Sequence, residues 1–215
     1  MFRRDPEIQP MSSVRRAIAF GLTALLMASC APGQLGTTWV EPGTPPQQYR
    51  DLLIFGIAAN PAIRRAYEDN FVNALRDTGS SARPSHTLLS DRDLSRAKAV
   101  QDAVERSGAD GVIVTYLAGE NPDAESAERG THVVPSVYGR LYPYYGRVFS
   151  DVTAPGYYAN YRALRLETNL YDAGREALVW SGRSDRLDPS SDQTMISEVI
   201  AGVIERLRAD GFLPQ

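Results

Sequence analysis

Two nearly unbroken apolar runs of strand length, Asp51–Ala59 (DLLIFGIAA) and Gly111–Leu117 (GVIVTYL), confine this chain to few folds. A strand with one wet face alternates apolar and polar residues, whereas a run without polar relief belongs to a strand covered on both faces. Two helical patterns lie between them. Asn60-Pro61 reads as a cap followed by proline in the first turn, Ile63, Tyr67, Phe71, Ala74 and Leu75 share one face, and Gly79 stops the helix. Ala82–Leu89 is a weaker strand. Ser90-Asp91-Arg92-Asp93 then resembles a capping box, and Leu94, Ala97, Val100 and Val104 stripe a helix ending at Gly108. Strand, helix, strand, helix, strand demands crossovers, which build a parallel sheet with helices packed on it.

The second half changes character. Over Tyr161–Asp172, Leu164, Leu166, Thr168 and Leu170 face one way and Arg165, Glu167, Asn169 and Tyr171 the other, as in a strand with one drier face. Asp172-Ala173-Gly174-Arg175 forms a turn, and Glu176–Asp185 returns as the second strand of a hairpin. Asp188-Pro189 opens a last helix striped by Met195, Ile196, Val199, Ile200, Val203, Ile204 and Leu207 and closed by Gly211. The expected architecture over residues 50–215 is α/β with an α+β tendency. It is a mixed five-stranded sheet with three packing helices, in the order β-α-β-α-β, long loop, β-β-α.

The amino-terminal segment sets location. Arg15-Arg16 precedes the apolar stretch Ala17–Ala28, and Ser29-Cys30 closes it with small residues. That pattern describes a secretory signal; a membrane span needs ~20 apolar residues. Leu26-Met27-Ala28-Ser29-Cys30 resembles a bacterial lipobox, with Met27 where leucine is usual, so residues 1–29 are expected to be a lipoprotein signal peptide and Cys30 the lipid attachment site. Cys30 is the sole cysteine, and acylation accounts for an unpaired thiol in an exported chain. Met11-Ser-Ser-Val-Arg-Arg is itself a compact signal beginning, so Met1 and Met11 both stand as starts. Ala31 follows the cysteine, and no aspartate is there to favour inner-membrane retention, so the expected location is the outer membrane, facing the periplasm. Residues 30–49, rich in proline and glycine, read as a flexible tether.

Phe71–Gly79 (FVNALRDTG), a second helix, then Ser107–Val114 (SGADGVIV) resemble, in that order, the amino-terminal domain of TolB and the curli lipoprotein CsgG. The hairpin Leu170–Gly174 to Leu178–Gly182 is similar to theirs and to that of uncharacterised envelope lipoproteins. The resemblance implies an α/β module that binds or assembles with other envelope proteins, with no catalytic residue to carry over. Fold alone does not transfer function.

Composition narrows the alternatives. The chain of 215 residues carries a net charge of −3, and without residues 1–29 about −5, which argues against a nucleic-acid partner. His86 and His132 are the only histidines; neither has metal-ligand spacing, and no dinucleotide or phosphate loop is present, so no metal or cofactor is expected. Ser85 and His86 are neighbours on an expected strand and point to opposite faces. An envelope hydrolase with a scattered Ser–His–Asp site remains the weakest reading.

The unusual feature is tyrosine. Tyr138, Tyr142, Tyr144, Tyr145, Tyr157, Tyr158 and Tyr161 crowd into an insertion at about 119–160, broken by Gly139, Pro143, Gly146, Pro155 and Gly156. Tyrosine offers a large contact face and a polar tip at low entropic cost. Three roles are open for this insertion: a secondary core under a folded-back loop, a protein interface, and a peptidoglycan or polysaccharide contact.

Overall fold

The computed structural model describes residues 35–120, 138–185, 187 and 193–215, apart from 44, 46 and 162. The signal segment 1–29, Cys30, His132 and the expected helix opening at Asp188-Pro189 lie outside the described residues. So do residues 121–137 of the insertion.

Six strands form one mixed sheet: β1 (Leu35–Val40), β2 (Asp51–Ile57), β3 (Ser81–Pro84), β4 (Gly111–Glu120), β5 (Ala163–Asp172) and β6 (Ala177–Ser184). Their spatial order is β1-β6-β5-β4-β2-β3. β2 pairs in parallel with β3 and β4, while β4, β5, β6 and β1 pair antiparallel in succession. Four helices cover it: α1 (Pro61–Leu75), α2 (Ala97–Ser107), α3 (Leu141–Thr153) and α4 (Gln193–Ala209).

The apolar runs divide between two cores by their period of two. Leu52, Ile54 and Ile113 pack under α1 and α4 with Phe71, Leu75, Val203 and Leu207. Leu53, Phe55, Val112 and Val114 pack under α2 and α3 with Val100, Val104, Tyr144 and Val148. Both faces of β2 and β4 are therefore dry, which is why neither alternates. A register shift in the β5–β6 ladder lets the consecutive Val179 and Trp180 both reach the first core. Asp110, from the Gly-Ala-Asp run, accepts hydrogen bonds from the amides of Arg50 and Asp51 and so ties the entry of β2 to that of β4.

The mixed α/β fold stands, with four corrections. First, Leu35–Val40, expected within the tether, is β1 and pairs with β6 from Leu35↔Ser184 to Val40↔Trp180. Secondly, the insertion contains α3, so with β1 the described residues hold six strands and four helices, not five and three. Thirdly, the weak strand ends at Pro84, because a 3-10 turn follows at Ser85–Thr87. Finally, Ser90 Oγ does bond Asp93, at 2.7 Å, but in a turn ahead of α2, which starts at Ala97.

Where β3 stops, α1 supplies its replacement. Gly56 has no strand neighbour on that side, and Glu68 Oε1 accepts from its amide at 3.1 Å. The same oxygen accepts from Ser85 Oγ (2.7 Å) and Arg64 Nη1 (3.3 Å), while Oε2 accepts from the His86 amide (2.9 Å). Arg64 Nη2 goes on to Asp91 at 2.8 Å. Glu68, Ser85 and Arg64 are all buried. A carboxylate thus stitches the splayed ends of β2 and β3 to the helix between them.

Candidate functional site

The tyrosine-rich segment is built around α3. Its entry is fixed by backbone bonds to the hairpin: the Leu141 amide donates to Glu176 O at 3.0 Å and the Leu178 amide to Gly139 O at 3.2 Å. Tyr171 OH donates to the Tyr138 carbonyl at 2.9 Å. Pro143 is the third residue of the helix, where its missing N–H has no partner to lose. Leu141, Tyr144, Tyr145, Val148 and Val152 form the buried stripe.

Tyr144 and Tyr145 are therefore core residues, 1% and 3% exposed, so of the roles left open for them the interface and glycan contacts are corrected to secondary core. Tyr145 meets Phe55 edge-on at 5.3 Å. Tyr144 sits among Tyr138, Tyr171 and Tyr116 at centroid distances of 4.8, 5.6 and 6.5 Å. Its hydroxyl is shared by the amide of Asn169 and by Glu167. The polar side of β5 is thus not wet, as the alternation implied, but roofed by α3. Arg183 neutralises the buried Glu167 there, with Nε donating to Oε2 at 2.8 Å.

Outside that roof lies a groove of about 510 Å³ lined by Tyr116, Tyr138, Tyr157 and Tyr161, with Arg147, Val148, Asp151 and Ala154 of α3 and its exit. Tyr157 packs edge-on against Tyr161 at 5.2 Å and against Tyr158 at 4.8 Å. Arg147 Nε and Asp151 Oδ2 stand 4.0 Å apart at the rim, both well exposed. Burial pushes the phenols of Tyr116, Tyr138 and Tyr157 above the ordinary tyrosine range, with the Glu167 charge adding to it at Tyr116 and Tyr138. The rings of Tyr116, Tyr138 and Tyr157 therefore keep their hydroxyl protons at physiological pH. One cation and one anion sit within reach.

Of the expected surface tyrosines, Tyr138, Tyr157 and Tyr161 come together here. Tyr142 is half-buried elsewhere and Tyr158 is half-buried against Tyr157, each pushed up to about 12 by burial. Tyr116 and Asp151 belong to the groove and were not among the candidates. Tyr116 was legible as the polar-tipped aromatic near the carboxyl end of a buried strand, and Asp151 only once α3 is recognised.

Gly119 shapes one wall. A Cβ there would lie 2.1 Å from the Tyr161 ring, so only glycine lets that ring lie on β4. Gly119→Ala should swing Tyr161 out of the groove while costing about 1 kcal/mol or less, since the displaced ring is at the surface. A crystal structure of the variant with Tyr161 unmoved would contradict this.

The chemistry around the histidine is separate. His86 Nε2 meets Asp69 Oδ1 at 2.7 Å, whereas the fully buried Ser85 gives its hydroxyl to Glu68. Among the described residues no three His, Cys, Asp or Glu side chains stand close enough to hold a metal ion, and no helix is long and apolar enough to cross a membrane.

No protein-family model matches this chain, and no curated protein matches it. Among solved structures it is similar to two PelC dodecamers from Paraburkholderia phytofirmans. One, a Leu-to-Met variant, has a TM-score of 0.43 and 14% identity over 84% of this chain and 100% of that one. The other has a TM-score of 0.40 and 13% identity over 83% and 99% of the two chains. A likeness of this degree carries no argument about function.

Proposed function

We propose that this chain is a lipid-anchored, non-enzymatic binding or assembly module of the bacterial cell envelope. Acylated Cys30 holds it at the outer membrane, facing the periplasm, and the aromatic groove beside α3 is its contact surface for an envelope partner. The observation that carries the binding role is the groove itself: four tyrosine rings gathered around an exposed Arg147–Asp151 pair. Such rings present area with little side-chain entropy to lose, and their hydroxyls both donate and accept. The anchor rests on the Arg15-Arg16, apolar, Cys30 pattern. Several acyl chains at ~0.8 kcal/mol per buried methylene hold a protein where one does not. Cys30→Ser should move the protein from the membrane to the soluble fraction; unchanged fractionation would remove the anchor.

A second reading makes the partner a glycan, peptidoglycan or another polysaccharide. It is favoured by the half-buried rings of Tyr138, Tyr157 and Tyr161 beside a carboxylate and a guanidinium, since sugars stack on aromatic faces and bridge their hydroxyls to charged groups. Tyr157→Ala combined with Tyr161→Ala should lower retention on purified sacculi at least tenfold with the melting temperature little changed. Retention equal to wild type would rule the glycan out and leave a protein partner.

A further inference from the structure

The parallel part of the sheet carries a second cavity, which shares Tyr116 with the groove. α1 joins β2 to β3 on one face, and α2 carries the chain back across β2 to β4 on the other, so the winding reverses between β2 and β4. Ligands of open α/β sheets bind outside the carboxyl ends of the strands at such a reversal. A cavity of about 60 Å³ lies there, at the ends of β2 and β4, walled by Ile57, Leu117, Leu166 and Ile196. Ile63 forms part of its margin and is 56% exposed, which among the described residues is the largest exposure of any large apolar side chain.

Arg64 also lines the cavity, although only 2% exposed. Nη1 serves Glu68 and Ser85, and Nη2 serves Asp91. Nε is buried and has no acceptor among the described residues. A buried donor left without a partner is costly, so it marks either a trapped solvent site or a ligand site. The surrounding charges already balance, Arg64 and Arg65 against Glu68 and Asp91, so an anion is not called for. What is missing is an uncharged acceptor attached to something apolar.

We infer that this cavity takes the end of a short aliphatic chain headed by a neutral carbonyl oxygen, which accepts from Arg64 Nε while the hydrocarbon packs on Ile57, Leu117 and Ile196. The probes are hexanamide and hexylammonium, of equal length and opposite hydrogen-bonding character, tested by saturation-transfer NMR on the full chain. Hexanamide should show transfer, and hexylammonium at least tenfold less, because its head offers only donors to an arginine. Leu117→Trp should fill the cavity and abolish the hexanamide signal with the circular dichroism spectrum intact. Ile196→Trp plugs it from the helix side and replaces the strand variant if that one fails to fold. Absence of transfer from hexanamide, as for a cavity holding only water, overturns the inference. So does equal transfer from the two probes, or transfer that survives the plug. Arg147→Ala with Asp151→Ala, which alters the groove at two residues that do not line the cavity, leaves this signal unchanged and so separates it from the groove.

Discussion

Glu68→Ala should lower the unfolding free energy by about 3–5 kcal/mol, as removal of one member of a buried ion pair does. Few single changes to this chain should cost more. The substitution leaves the buried Arg64 with Asp91 as its remaining carboxylate partner and leaves the amides of Gly56 and His86 and the Ser85 hydroxyl without their acceptor. Glu68→Gln keeps one oxygen for the first cluster of donors but turns an NH₂ toward the His86 amide, so its loss should be smaller, about 1–3 kcal/mol. The pair also separates by pH. Burial, the largest influence, holds the Glu68 carboxyl above the usual glutamate range, against the pull of Ser85 and Arg64. The folded state then binds this proton more tightly than the unfolded chain, so stability falls as pH rises from the ordinary glutamate value through the raised one. Urea melts across that window should show this slope in the wild type and its absence in Glu68→Gln. An opposite slope would mean that the hydrogen bonds outweigh burial.

Tyr144→Ala should cost a comparable ~3–5 kcal/mol, the usual range for emptying a large aromatic site. It removes a ring packed against three others and the hydroxyl shared by Asn169 and Glu167. For a domain of this size that corresponds to a fall of roughly 10 °C in melting temperature. Tyr157→Ala, at the groove surface, should shift it by a few degrees at most. Calorimetry on the two variants decides whether the insertion is core at Tyr144 and surface at Tyr157; equal shifts would refute that division.

The same contrast shows what could be read from the sequence. β2 and β4 were legible because burial on both faces leaves a continuous apolar signature that no other arrangement tolerates in water. α1 announced itself through Asn60, whose side chain accepts from the Ala62 amide at 2.9 Å. α3 was hidden by its own composition. Pro143 and Gly146 look like breakers, yet the first occupies a position with a free N–H and the second faces open space. The stripe Leu141, Tyr144, Tyr145, Val148, Val152 was the available signal, masked because the insertion was read as a loop. With the roof unseen, Glu167 and Asn169 could only be taken for a wet edge. β1 was illegible for another reason: its partner lies some 140 residues away, and no local pattern encodes such pairing.

The pairing of β1 bears on any attempt to dissect the molecule. Cutting the chain at residue 50, where the apolar signature begins, would strip the outermost strand and leave the backbone of Trp180–Ser184 unpaired along one border. Such an open border recruits foreign strands. A shortened version starting there is therefore expected to clump on purification, whereas one beginning ahead of Leu35 keeps the short, bulged β1 as the border and stays dispersed.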